Sequence, residues 1–189
     1  MAEPVGEDGP DVDEGDVADD AQAAGLAFYE TIIAMHHAVL NLFAAGLFHL
    51  FEQQVAALYR DWTGQTLRRG LLPLAALRDW LRDEVGVDIT RAPSWNRLHE
   101  LELLANVVKH AAGRSADELR ARNPDYFRQP LLREAAFRDI PTSERPVETP
   151  LTGEDIYVTK ADYDRFLEAV LAFLEWLAAE LDTGLRAAS

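Results

Sequence analysis

The 189-residue chain contains no cysteine, so disulfides, cysteine-ligated zinc, iron–sulfur clusters and thiol nucleophiles are all excluded. Lysine is nearly as scarce. Lys109 and Lys160 stand alone, arginine supplies the rest of 18 basic residues, and 33 acidic ones bring the formal charge to −15. A net-negative chain repels phosphates at long range, which argues against tight non-specific nucleic-acid binding but leaves a local basic site open. No Walker phosphate loop or dinucleotide-binding glycine signature is present, and Ser94, Ser115 and Ser143 lie outside any Gly-x-Ser-x-Gly elbow. Nucleotide-driven motors, Rossmann chemistry and hydrolase triads are therefore not expected. No basic segment followed by an apolar run opens the chain, so the expected location is the cytoplasm.

Apolar residues make up 48% of the chain, enough for a hydrophobic core, and the length suits one domain. The acidity is concentrated at the start. Residues 1–20 carry nine acids and no base, with three glycines and two prolines. Such a segment buries too little apolar surface to offset its ordering entropy and reads as a disordered acidic tail. The remaining 24 acids against 18 bases leave the body near −6.

From Ala21 to Trp62 apolar residues recur at helical spacing without a proline, which predicts one long bent helix or two joined near Gly46. Between Glu30 and Glu52 lie 21 residues without a charge, long enough to be weighed as a membrane span. His36, His37, Asn41 and His49 interrupt that run and no basic cluster flanks it, so a buried bundle helix is expected and no membrane partner. Pro73 to Val85 is amphipathic, with Leu74, Leu77, Trp80 and Leu81 on one face and Gly86 as its stop. Val87–Ile89 reads as a brief extended link. A further helix is expected from the Ser94 N-cap to Ala112, with Gly113 following as C′. Ser115-Ala-Asp-Glu118 matches a capping box for a short helix that Asn123-Pro124 stops.

Residues 124–156 hold five prolines and read as surface loop with one helical turn around Leu131–Phe137. Asp155–Thr159 is long enough only for an isolated strand. Thr159 should cap a last helix whose stripe is Phe166, Val170, Phe173, Leu174 and Leu177. The fold expected is all-α. It is a helical bundle of four main helices plus a short one, with a Pro-rich loop before the last helix, spanning residues 21–189 as a single domain. No internal repeat and no heptad run is evident.

One segment carries a chemical pattern. On a wheel at about 100° per residue with Leu98 as zero, Lys109, Glu102, Asn106, His99 and His110 fall between about 20° and 120°. Leu104, Val108, Leu101, Ala112 and Ala105 fall on another side. The polar strip spends one of two lysines and two of five histidines. It reads either as a solvated helix face or as a site. As a site, His110 is a general acid–base, Asn106 one turn away can donate or accept, and Lys109 offsets developing negative charge. That trio suits phosphodiester cleavage by a ribose hydroxyl, without metal.

Asn106-Val107-Val108-Lys109-His110 resembles the latter part of the Arg-Asn-x-x-x-His signature of HEPN domains (higher eukaryotes and prokaryotes nucleotide-binding). The resemblance implies a compact helical bundle, a homodimer with paired motifs at its cleft, and often metal-independent RNase activity in toxin–antitoxin or anti-phage systems. His110 falls on the family's catalytic histidine and Asn106 on the polar residue after its arginine. The arginine position is Ala105. Lys109, Arg97, Arg114 or an arginine of a second protomer can supply charge instead, and Glu102 can orient Lys109 or the histidine. His99 completes the candidate substrate-binding strip. The longer run Leu104–His110 followed by Gly113-Arg114-Ser115 also resembles uncharacterised bacterial proteins with Leu-Ala-Asn-x-x-Lys-His and Gly-x-Ser, a variant group in which alanine replaces the arginine.

Neither cofactor nor metal is expected. Glu30, His36, His37, His49, Glu52, His99 and Glu102 are available on helices, but the Glu-x-x-His spacing of di-iron bundles is absent. His36, His37 and His49 read as hydrogen-bonded residues within or beside the core. The four tryptophans read as core or interface aromatics, with Trp95 one turn before His99. A rival to the RNase reading is a non-catalytic adaptor or antitoxin-like module whose acidic tail docks on a basic protein.

Overall fold

The computed structural model describes residues 14–64, 74–137, 139 and 146–188. Five α-helices and no strand occur among them. Helix α1 runs unbroken from Glu14 to Thr63, α2 covers Leu74–Trp80, α3 Trp95–His110, α4 Arg114–Arg122 and α5 Lys160–Ala188. The chain is all-α, a helical bundle organised around α3, which packs against α1, α4 and α5.

Continuity of α1 resolves the choice between one helix and two: nothing within 4 Å of Gly46 forces a break there. The helix also reaches back to Glu14, so residues 14–20 of the segment read as a disordered tail are helical, while residues 1–13 lie outside the described residues. By length and composition α1 is apolar enough to cross a membrane, with a mean hydropathy of 1.6 in its most apolar stretch. Its inner face from Leu40 onward nevertheless enters the core through Ala44, Phe48, Phe51 and Val55.

Helix α2 buries Leu74 and Leu77 and continues into one π-helical turn, Leu81–Val85, before Gly86 stops it at φ 77°. There the Val87 N–H closes onto the Leu81 carbonyl at 2.9 Å, as a left-handed glycine cap allows. Of the link expected to be extended, Asp88 is extended, at φ −92° and ψ 102°, but Ile89 begins a 3₁₀ turn, Ile89–Arg91, because Asp88 accepts hydrogen bonds from the Thr90 N–H and hydroxyl. Trp80 packs edge-on against Tyr59 and Trp62 of α1.

Three cap expectations change. Ser94 precedes α3 without a side-chain cap bond. At the other end α3 stops at His110, and Ala111, not Gly113, makes the first positive-φ turn at 62°. The capping box at Ser115–Glu118 does not form either. Gly113 precedes α4, and Glu118 is drawn to His99 of α3 instead, where it gains a charge-assisted bond between helices.

The Pro-rich segment contains three 3₁₀ turns, Pro124–Phe127, Pro130–Arg133 and Ala135–Phe137. The run 155–159 is not a strand; its backbone groups bond to side chains and to Tyr126 rather than to a neighbouring strand. Asn41 explains this. Fully buried on α1, its amide donates to the carbonyls of Pro150 at 3.0 Å and Ile156 at 2.9 Å and accepts the Val158 N–H at 3.1 Å. One side chain thereby satisfies three backbone groups of a segment with no ladder of its own.

Thr159 caps α5 as expected. Its hydroxyl accepts the Asp162 N–H at 3.1 Å, while Asp162 accepts the Thr159 N–H at 3.0 Å. Asp162 is buried, and Arg133 at 2.8 Å and Arg165 both pair with it. From there α5 buries Phe166, Val170, Phe173, Leu177 and Leu181.

Candidate functional site

Helix α3 divides as its wheel predicts. Leu101, Leu104, Ala105 and Val108 are buried, whereas Lys109 and His110 are exposed and His99, Glu102 and Asn106 are half-buried. The polar strip then splits into two places with different chemistry.

At its first turn the strip is occupied by internal pairing. The His99 ring lies parallel to Trp95 with centroids 6.2 Å apart. Its Nδ1 meets Glu102 Oε2 at 3.0 Å, and its Nε2 meets Glu118 Oε1 at 3.0 Å. Arg122 also reaches Glu118, at 3.3 Å. The bond from His99, helped by Arg122, holds the Glu118 carboxyl below the usual carboxylate range. With both ring nitrogens engaged, His99 ties α3 to α4. Glu102 serves His99 at i+3 rather than Lys109 or His110. Arg97 is likewise taken, by Glu100 at 2.6 Å.

At the last turn lies a cleft. Val108, Lys109, His110 and Ala111 form one wall, residues 148–152 the other, and the cavity volume is about 680 Å³. That size admits a small ligand or a nucleotide unit. The opposite wall is held in shape by Asp155, whose Oδ2 accepts the N–H groups of Glu148 at 2.9 Å and Thr149 at 2.8 Å. Ala112 N–H donates to the Val147 carbonyl at 2.9 Å and fixes this wall to the end of α3. Lys160, the other lysine, is paired with Asp164 at 2.6 Å; among the described residues no acid pairs with Lys109.

Asn106 is not on the cleft wall, and Arg114 is exposed at the start of α4. Ala105 is fully buried in the core, so a guanidinium at this position has no room. Residues 148–152 are the part of the site that sequence reasoning missed. They lie in a Pro- and Thr-containing loop without periodicity; Asp155 shapes it, Asn41 ties it to α1, and the Ala112–Val147 backbone bond joins it to the end of α3.

The remaining histidines behave as structural residues or surface residues. His37 is buried and packs edge-on against Tyr157 at 5.4 Å. Burial lowers its pKa, the Val158 backbone partly opposes that shift, and His36 and Arg133 add to it. His49 contacts Gln53 at 3.1 Å and Glu52 at 3.5 Å. Among the described residues no group of three or more His, Asp or Glu side chains is arranged to hold a metal ion.

Comparison with protein-family models, with curated proteins and with solved structures finds no match to this chain.

Proposed function

We propose that the protein is a HEPN-like helical protein that cleaves RNA at the cleft beside Lys109 and His110, without a metal. The observation that carries the reading is the exposure of an imidazole and an ammonium group on adjacent residues at the edge of an open surface depression of about 680 Å³. His99, the other histidine of the polar strip, is bonded within the protein through both ring nitrogens.

In the proposed reaction the ribose 2′-hydroxyl attacks the adjacent phosphorus. Neutral His110 takes the hydroxyl proton, and the 5′-oxygen leaves with a proton returned from the imidazolium. A 2′,3′-cyclic phosphate and a free 5′-hydroxyl result, so atoms and charge balance without a metal-bound water. Lys109 offsets charge on the phosphate oxygens as a point charge, without the planar fork of arginine. Asn106, one turn before His110, sits outside the cleft wall, and the catalytic role expected for it does not enter this scheme. The roles expected for His99, Glu102 and Arg97 as substrate contacts do not enter this scheme, because His99 is paired with Glu102 and Glu118, and Arg97 with Glu100.

The test is substrate chemistry. In EDTA, single-stranded RNA should be cut and should yield cyclic-phosphate ends, while DNA of the same sequence, lacking the 2′-hydroxyl, should stay intact. Cleavage of the DNA would overturn the mechanism.

A second reading, the non-catalytic interaction module, is favoured by buried Ala105 and by the apolar residues that α1 leaves exposed. Under that reading, deleting residues 1–20 abolishes capture of a basic protein partner. Under the first reading the same deletion leaves RNA cleavage unchanged.

A further inference from the structure

The outer face of α1 is uncovered along most of its length. Every side chain from Val17 to Ile33 is exposed, and the bundle first touches the helix near Ala34, where Gly153 lies against it. Past that point the inner face is buried through Leu40, Asn41, Ala44 and Phe48, but the outer face is still bare. Exposure sorts an otherwise uniformly apolar helix into two stripes. Phe28, Ile32, Met35, Val39 and Leu42 are between 45% and 69% exposed. They follow one another at steps of four, three, four and three residues, and Gly46 comes four later. At about 100° per residue the five lie within about 80° of one another, opposite the buried stripe. This is the alternation of a coiled-coil seam. The sequence conceals it because buried core residues fill the intervening positions.

The geometry points to a second copy of this chain as the occupant, its α1 lying antiparallel on this seam. In folded proteins most helical stability comes from packing an apolar face rather than from propensity, and the outer face of α1 has no such packing within one chain. The 4–3 spacing selects a helix as that neighbour.

Self-complementarity selects the same helix. With a two-fold axis between Met35 and Val39, Met35 meets Val39, Ile32 meets Leu42, and Phe28 meets Gly46. The largest side chain of the seam then faces its smallest residue. Gly46 is exposed, and a Cβ built there meets nothing within 4 Å, so the notch is open. A parallel pair would instead stack Phe28 on Phe28 and leave the Gly46 notch facing its own copy, unfilled. The symmetric contact is closed, as a two-fold interface requires.

Five large apolar side chains of the seam are each about half exposed, so pairing two copies removes a continuous apolar strip from water on both chains. The uncharged stretch between Glu30 and Glu52 gives a charged partner nothing to complement.

This pairing does not rest on the cleft chemistry, and His110→Ala should leave it intact. The full chain should sediment as a dimer at micromolar concentration, and Ile32→Glu with Val39→Glu should give a monomer. Both positions are exposed; a cooperative thermal transition shows that the double variant is folded, and its midpoint should lie below that of wild type and no longer depend on protein concentration. The chain has no cysteine, so orientation is read by mixing two single variants, Phe28→Cys and Gly46→Cys. Oxidation should yield the 28–46 cross-link. Exclusive 28–28 and 46–46 cross-links would overturn the antiparallel arrangement. A wild-type monomer at up to about 100 µM, or a chain that floats with phosphatidylcholine vesicles instead of dimerising, would overturn the proposal itself.

Discussion

Asn41 Oδ1 accepts the backbone N–H of Val158 at 3.1 Å, across 117 residues of sequence. With the two bonds its amide donates, this contact moors the segment that forms the far wall of the cleft to the middle of α1. Asn41→Ala leaves the Pro150 and Ile156 carbonyls and the Val158 N–H without their partner in a buried place. An unsatisfied buried group costs about 1–3 kcal/mol, so a loss of about 3 kcal/mol is expected after partial relaxation. Denaturant unfolding measures it, and hydrogen exchange at Val158 should accelerate in parallel.

Gly153 sits against the same helix. Its φ is 80°, and an added Cβ would stand 2.0 Å from the Ala34 carbonyl oxygen. Both the backbone conformation and the contact exclude a side chain. Gly153→Ala should lower stability by more than about 2 kcal/mol, combining αL strain with displacement of the loop from α1. A thermal midpoint equal to that of wild type would contradict this packing.

Ala111 turns the chain at the end of α3 with φ 62° and ψ −137°, a conformation that glycine adopts far more readily. Ala111→Gly should therefore stabilise the protein, by about 1 kcal/mol. Chemical denaturation distinguishes this from the small loss that extra unfolded-state entropy alone would give. The residue adjoins His110, so strain is stored beside the proposed site.

Acid should lower the unfolding free energy over two pH windows. The folded-state pKa of His37 lies below its ordinary 6.5, chiefly through burial. The unfolded chain therefore takes up this proton first, and the stabilisation present above pH 6.5 is lost progressively below it. Asp162 provides the second window. Burial opposes its ionisation, but the Thr159 N–H and hydroxyl and Arg133 outweigh burial and hold its carboxyl below the ordinary 3.8. Its contribution is present above 3.8 and lost as pH falls through the lower folded value. His37→Gln should remove the upper window and leave the lower one, as read from unfolding free energy between pH 7 and 3.

Much of the fold was legible because it rests on local rules. Leu74, Leu77 and Leu81 recur at helical spacing, Gly86 caps, and Thr159 with Asp162 forms a capping box, all within a few residues of one another. The expectations that changed were lost to tertiary competition. Glu118 matched a capping box but gained more from His99, and Glu102 was drawn to the same ring. The far wall of the cleft was illegible because Asn41 and Asp155 place it, and neither reveals a distant backbone partner in sequence. The outer seam of α1 was hidden by apolar residues on every side, and only exposure separates its two stripes.

The central claim is chemical, and RNA cleavage in EDTA by wild type beside His110→Ala tests it most directly. His110 is exposed, so the substitution should change stability by less than about 1 kcal/mol. Wild type should cut RNA, and the variant, with an unchanged melting temperature, should not. Equal cleavage by both proteins, or none by either, would contradict the assignment of His110 as the catalytic base.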